Sequence, residues 1–230
     1  MLLTIVITVF NEKDTILEAI REVKDIRLEK EIIVVDNCST DGTKQLLENL
    51  KDPSIEVVFQ PENLGYGCSV KTGARLAKGK YLFVQNSDLE YDPSCVYQMV
   101  ELAEKHGLDA VFGSRLAERK DDSFFEIIKE RPYYLATLLS TFLINVFYGR
   151  KFTDVIGNRF YRRQVFDEVA VKSNFMAFDF ELVSRLCRQG RRIEEIPVKY
   201  SPRTYKQGKK IKWHDSFPAL FVMLKVKLFG

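Results

Sequence analysis

The densest group of side chains able to do chemistry is the stretch QNSDLEYDP at 85–93. Asp88 and Glu90 lie two apart just after an apolar run. In extended chain alternate side chains point the same way, so the two carboxylates converge on one spot. Such a pair suits a hard divalent cation, Mg2+ or Mn2+, which takes one or two protein carboxylates and completes its shell with diphosphate oxygens and water. A solvated acidic turn ahead of a helix accounts for the pair alone equally well. Asp92 followed by Pro93 has the pattern of an N-cap and a first helical residue, so Asp92 is assigned to the cap and Asp88 and Glu90 to the metal.

A second group, VVDNCSTDGT at 34–43, puts Asp36 at the end of an apolar run, where a carboxylate can accept from a ribose hydroxyl or a base N–H. Ser39, Thr40 and Asp41 are good helix starters and Gly42 relaxes the backbone, so 39–42 read as a plain strand-to-helix loop. NLGYGCSVKTG at 63–73 imitates a dinucleotide fingerprint, but its third glycine position holds Val70, and the sequence contains no P-loop. Dehydrogenase and nucleotide-triphosphatase readings are therefore weak, and Lys71 reads as a solvated helix lysine, with approach to a phosphate as the alternative.

These groups sit at regular places in an alternating pattern. Short β-branched apolar runs at 2–10, 31–36, 55–59, 80–85 and 109–113 are separated by helix-period stretches at about 13–24, 41–50, 67–78 and 93–105. Strand and helix alternating at this spacing predict a mostly parallel sheet covered on both faces, an α/β fold whose ligands bind at the carboxyl ends of the strands. The second half predicts a long apolar helix over about 124–148, a helix over 179–189, a strand over 191–200 and a last amphipathic helix over 214–229. The division expected is one domain over 1–212, with 213–230 as a peripheral helix.

Composition narrows the class. The chain has 230 residues, 46% hydrophobic and 29% charged, as in an ordinary globular protein. A net charge of +3 makes no case for nucleic acid; the cations cluster instead between Lys199 and Lys227. Cys38, Cys68, Cys95 and Cys187 are scattered, which argues against a zinc site or a disulfide scaffold and for a reducing compartment. The opening MLLTIVITVF has neither a basic leader nor a cleavage site and reads as a core strand. The uncharged run 133–148 would span only ~24 Å as a helix, short of the ~30 Å hydrocarbon core. Tyr133, Tyr134 and Tyr148 bracket it as interfacial aromatics would, and PALFVMLKVKLF sets aliphatics beside Lys225 and Lys227, the composition of an interfacial helix. For 133–148, burial in the core or a contact between two copies of the chain fits nearly as well.

Taken in order, TIVITVFNE, VVDNCSTDGT, NLGYG, QNSDLEYDP, FGSR, TDVIGNRFYRR, FDFELVSRL and IPVKYSPRTYKQGKKIKW resemble the family 2 glycosyltransferases of the GT-A fold, in particular their dolichol- and polyprenyl-phosphate sugar transferase members. The resemblance covers almost the whole chain. It implies that Thr8, Phe10, Glu12 and Asp36 hold a nucleoside, that Asp88 and Glu90 fall on the metal-binding stretch with Asn86 beside them, and that Gly113, Ser114 and Arg115 line the phosphate side. It also implies that Asp179 and Glu181 face sugar and acceptor, and that Arg203, Lys209 and Lys210 close over the diphosphate as a basic lid. Metal and lid would stabilise the departing nucleoside diphosphate. A lipid-phosphate acceptor, with its second pKa near ~6, is already ionised and needs little general-base help. A sugar hydroxyl would need a base, for which Asp179 is the candidate. The activity so implied is inverting transfer of a hexose to a polyprenyl phosphate by a cytoplasmic protein lying peripherally on the cytosolic face of a membrane. A soluble transferase acting on a glycan hydroxyl and a non-catalytic nucleotide-sugar binding module are the alternatives.

Overall fold

The computed structural model describes residues 1–119, 127, 129, 134–203 and 217–230. Strands β1 (Leu3–Val9), β2 (Lys30–Asp36), β3 (Ile55–Phe59), β4 (Tyr81–Asn86), β5 (Ala110–Ser114), β6 (Arg159–Arg162) and β7 (Ile193–Pro197) form one seven-stranded sheet. Their order is β3-β2-β1-β4-β6-β5-β7. Neighbouring pairs are parallel except those made by β6, which runs antiparallel between β4 and β5. Every residue of β1 is buried, so the strand is apolar at nearly all positions instead of alternating, as a strand covered on both faces requires.

The covering helices are α1 (Ile16–Lys24), α2 (Thr43–Glu48), α3 (Tyr66–Leu76), α4 (Val96–His106), α5 (Tyr134–Tyr148), α6 (Arg163–Glu168), α7 (Ala177–Arg188) and α8 (Phe217–Phe229). On one face, Ile16, Ile20 and Val23 of α1 and Val96, Met99 and Val100 of α4 pack on Ile5, Ile7 and Phe83. On the other face, α3, α5, α6, α7 and α8 contribute Val70, Ile144, Phe166, Leu182 and Met223 to a second cluster around Val6, Val84 and Phe112. The five strands expected in the first half are present within a few residues of their predicted bounds. The last strand is shorter than expected, and β6 was not anticipated at all. It is only four residues long and begins with a buried arginine, so it carries no apolar run to betray it.

Helix α5 keeps an apolar stripe on its outer side. Tyr134, Thr137, Ser140, Thr141 and Ile144 are buried, while Leu135, Leu139, Phe142 and Val146, at i, i+4, i+7 and i+11, stand on the exposed side. Helix α8 lies next to it: Met223 and Val226 point inward, and Phe221, Leu224, Leu228 and Phe229 point out. Arg188 of α7 donates to the carbonyls of Val226 and Lys227, and the Lys227 ammonium bonds the Phe147 carbonyl, fastening α8 to the domain. Among the described residues no helix is long and apolar enough to cross a membrane.

Candidate active site

Parallel strands leave their carboxyl ends along one edge of the sheet, and the loops after β1, β2 and β4 meet there. Asn11, in left-handed backbone at φ 54°, lies two residues past β1. Its N–H donates to Ser39 Oγ at 2.8 Å and its Oδ1 accepts from the Thr40 N–H at 2.7 Å. The Glu12 N–H donates to Thr43 Oγ1 at 2.9 Å. The loop 39–43 therefore does more than start a helix, because it holds Glu12 in place. Thr8 Oγ1 donates to Asn86 Oδ1 at 3.3 Å, tying β1 to β4. Phe10 stands half-buried just past β1.

Asp88 and Glu90 do converge, but not through extended chain. Leu89 turns the backbone at φ 58°, and the Glu90 N–H donates back to Asp88 Oδ1 at 3.2 Å. Across from them stands Arg203. Its guanidinium grips Glu12 with two bonds, Nη1 to Oε2 at 2.8 Å and Nη2 to Oε1 at 2.9 Å, the strong bidentate form. It also lies 3.7 Å from Asp88 Oδ2 and 3.8 Å from Glu90 Oε1. One cation thus gathers three carboxylates that are up to 191 positions away in the chain. The segment carrying it is fixed by Glu90, which accepts from Tyr200 Oη at 2.7 Å and from the Arg203 N–H at 2.9 Å. Tyr91 and Tyr200 pack ring to ring beside this pair.

The two predicted metal ligands are not equivalent. Both oxygens of Glu90 are engaged, whereas Asp88 Oδ2 has only the longer ion pair with Arg203. Burial, then the neighbouring Glu90 charge, pushes the Asp88 carboxyl up to about 6. A carboxylate raised by burial among like charges is one that a bound cation would relieve. Among the described residues no group of three or more His, Cys, Asp or Glu forms a ready-made cage. The arrangement fits a cation held by Asp88 together with a ligand's own phosphate oxygens, and it does not fit one enclosed by protein alone.

Asp36 is fully buried: Oδ2 accepts from the Ser39 N–H at 3.1 Å, while Oδ1 has no hydrogen-bond partner. Gly113 to Arg115 are pinned from behind. A Cβ on Gly113 would meet Val198 at 2.6 Å, and one on Gly157 would strike the Gly113 carbonyl at 1.6 Å, so both glycines serve close backbone approach. Ser114 Oγ shares a 2.6 Å bond with Thr153 Oγ1. Arg115 is paired two-pronged with fully buried Asp154, at 2.6 and 3.0 Å, and its guanidinium lies between the rings of Tyr134 and Tyr200. Glu195 accepts from the Thr153 and Asp154 N–H groups and so positions the Asp154 carboxylate. Arg115 is thus a buttress beneath Tyr200 and not a free phosphate-binding cation.

Asp179 stands in the first turn of α7, partly exposed, with Arg159 Nε 3.9 Å from its Oδ1. Glu181 differs from the expectation that it faces sugar and acceptor. Its carboxylate accepts from the Lys172 and Ser173 N–H groups, from Ser173 Oγ at 2.6 Å and from Arg185 Nε at 2.8 Å, and so clamps the 172–173 loop to α7. The two residues lie on different sides of the helix. Lys71 is not merely solvated; its ammonium bonds the Ser173 carbonyl and Asn174 Oδ1. Lys209 and Lys210, assigned to the lid, lie outside the described residues. Sequence reasoning missed Asp154, Arg159, Glu195 and Tyr200. The one available signal was that GNRFYRR is among the segments that carry the resemblance.

A sheet covered on both faces with an acidic cluster at its carboxyl edge is the architecture the family match explains. Residues 4–170 match glycosyl transferase family 2, and the chain belongs to that family. The low-salt glycan biosynthesis hexosyltransferase Agl6 of Haloferax volcanii is 26% identical over 87% of this chain and 48% of its own length. The undecaprenyl-phosphate 4-deoxy-4-formamido-L-arabinose transferase of Pseudomonas fluorescens is 28% identical over 90% of this chain and 59% of its own. The chain therefore spans about half the length of these relatives. Glucosyl-3-phosphoglycerate synthase of Mycobacterium tuberculosis, solved with Mn2+, UDP and phosphoglyceric acid, superimposes with a TM-score of 0.65 at 16% identity, covering 100% of this chain and 79% of that one. At that identity the likeness establishes the shared GT-A-type fold.

Proposed function

We propose that the chain is an inverting transferase that moves a hexose from a nucleotide-diphosphate sugar to a polyprenyl phosphate at the cytosolic surface of a membrane, with Mg2+ or Mn2+. Thr8, Phe10, Glu12 and Asp36 would receive the nucleoside, the unpartnered Asp36 Oδ1 accepting from a ribose hydroxyl or base N–H. Asp88 would hold the cation, with Glu90 orienting the 200–203 segment over it and Asn86 at its flank. The cation, when bound, neutralises charge on the departing diphosphate. Arg203, with Lys209 and Lys210, covers that diphosphate. Arg203 can exchange Glu12 for phosphate oxygens because both offer it the same two-pronged geometry. Gly113, Ser114 and Arg115 shape the acceptor side through Tyr200. Asp179 places negative charge where positive charge develops on the sugar, and it would serve as base if the acceptor were a hydroxyl. The Mn2+ and UDP bound by the mycobacterial synthase and the undecaprenyl phosphate named for the Pseudomonas relative support the donor and acceptor classes.

The observation that carries the lipid acceptor is the exposed apolar stripe of α5. Exposing two leucines, a phenylalanine and a valine along one side of a helix is unfavourable in water and favourable against a bilayer. The exposed Lys225 and Lys227 border the same surface, as cations do beside anionic headgroups. Purified protein offered GDP- and UDP-sugars with polyprenyl phosphate is expected to turn over only with Mg2+ or Mn2+ present. Transfer to a soluble glycan alone, or donor binding without turnover, would overturn the reading. Exchanging Phe142 and Val146 for Asp is expected to weaken sedimentation with anionic vesicles by at least about tenfold, since each buried apolar side chain contributes about 1.5–3 kcal/mol. Transfer to a short, water-soluble acceptor phosphate should be unchanged, and vesicle binding that survives the double change would refute the membrane face.

A further inference from the structure

Arg159 ranks first by volume among the fully buried side chains of the described residues, at 2% exposure on the first residue of β6, yet it is a cation. In register it lies opposite Val84 of β4 and Phe112 of β5, two residues before each of those strands ends, so it sits under the carboxyl edge. Its Nη1 donates to the Gly157 carbonyl at 2.7 Å and its Nη2 to the Val155 carbonyl, while its face rests on the Phe112 ring. Two carbonyls satisfy hydrogen bonds but supply no charge. Burying a cation is strongly unfavourable unless a counter-ion faces it, and an apolar residue would fill this interior without that cost. Asp154, whose charge Arg159 also feels, is already neutralised by Arg115. Among the described residues the remaining anion beside Arg159 is Asp179.

Two further facts point the same way. Arg159 Nε and Asp179 Oδ1 are both buried without a hydrogen-bond partner and face each other at 3.9 Å, with the unpartnered Tyr161 hydroxyl also buried on β6. The titratable groups facing Asp179 are Arg159 and Tyr161 from β6 and Tyr66 from α3; on its own helix, Glu181 is spent on the 172–173 loop and Arg185 is spent on Glu181. Arg159 is therefore the one cation among the described residues set to oppose the effect of burial on that carboxyl. Burial raises the Asp179 carboxyl above the usual carboxylate range, and the Arg159 charge offsets that rise only in part.

We propose that Arg159 is a positioning residue for the transfer reaction: from inside the sheet its guanidinium keeps Asp179 ionised and fixed at the carboxyl edge. The inference rests on the reading of Asp179 as the group that meets the sugar and acceptor, and its test separates the two. In the full chain labelled with 13C at aspartate carboxyls, the Asp179 signal is assigned by its loss in Asp179→Asn. It should be that of an ionised carboxylate at pH 7. Arg159→Gln, which keeps a donor but no charge, should raise its titration midpoint by about one pH unit or more, and the acid limb of kcat/KM should move with it. Arg159→Lys, which keeps the charge but not the paired bonds to Val155 and Gly157, should hold both near their original position. A merely structural arginine would make the two variants equally unstable and leave the titration where it was. A protonated Asp179 at pH 7 in the unaltered protein, or an unmoved midpoint in folded Arg159→Gln, overturns the proposal. Should Arg159→Gln not fold, the unaltered chain and Arg159→Lys still decide it through the ionisation state at pH 7. Undiminished turnover in Asp179→Asn would instead refute the role of Asp179 itself, with the charge pairing judged by the titration alone.

Discussion

Asp88→Asn is expected to abolish turnover, by about a thousandfold or more, while making the cation-free protein more stable at pH 7 and above. The opposite signs come from one cause. Asp88 lies among Glu12 and Glu90 with only the longer Arg203 contact on its Oδ2, and its carboxyl is pushed up to about 6, by burial first and by Glu90 second. Against an ordinary unfolded value near ~3.9, ionising it opposes folding by an amount we put at about 2 kcal/mol after allowance for its partial exposure. The sign follows from linkage. A carboxyl raised in the folded state binds protons more tightly there, so the penalty is fully present above pH 6 and vanishes below about pH 4, where both states are protonated. Asparagine keeps the acceptor for the Glu90 N–H and removes the charge. In chelator at pH 8 the variant should melt about 5 °C above the parent, the gap closing by pH 4, and Mn2+ should raise the melting temperature of the parent alone. Equal melting at pH 8, or Mn2+ stabilising both proteins alike, would remove Asp88 from the role assigned to it.

That conflict between stability and function is local, and it marks what a linear reading can find. Strands β1, β2 and β4 were legible because a strand buried on both faces must be a continuous run of branched residues, and their ends then point to Asp36, Asn86 and Asp88. Strand β6 was illegible for the same reason in reverse: its core position is taken by Arg159, whose partners are the Gly157 and Val155 carbonyls and Asp179, twenty positions on. Glu12 and Arg203 could each be named from the resemblance, but their mutual grip depends on the 39–43 loop setting Glu12 and on Glu90 fixing the 200–203 segment. Neither contact has a signature within a window of neighbouring residues. Glu181 misled because a carboxylate in the first turns of a helix looks alike from the sequence whether it faces a cleft or caps a loop. Its hydrogen bonds to Lys172 and Ser173 decide the matter.

Replacement of Asp154 by Ala is expected to cost about 3–5 kcal/mol, a large share of the ~5–15 kcal/mol that holds a typical domain together. Asp154 has no exposed surface, and it accepts from Arg115 Nε, Nη2 and backbone N–H and from the Ile156 N–H. Burial pulls its carboxyl upward, but the Arg115 charge and these bonds outweigh it and hold the group below the usual carboxylate range. A depressed carboxyl stabilises above its unfolded value and loses that contribution as pH falls through the folded one, so the full effect applies at neutral pH. Alanine leaves the Arg115 guanidinium buried with no counter-charge between Tyr134 and Tyr200. The damage should reach the site as well, since Tyr200 is the hydroxyl that holds Glu90, and Glu90 holds the backbone of Arg203. The paired change Arg115→Met with Asp154→Asn removes both charges together. It should recover at least about half of the lost stability, because the penalty lies in the stranded charge and not in the absence of the pair. Urea midpoints for Asp154→Ala and for the double variant measure this directly. A double variant no more stable than Asp154→Ala would mean that shape, not charge, is what Asp154 contributes. Turnover unchanged in a folded Asp154→Ala protein would break the chain from Arg115 through Tyr200 to Arg203.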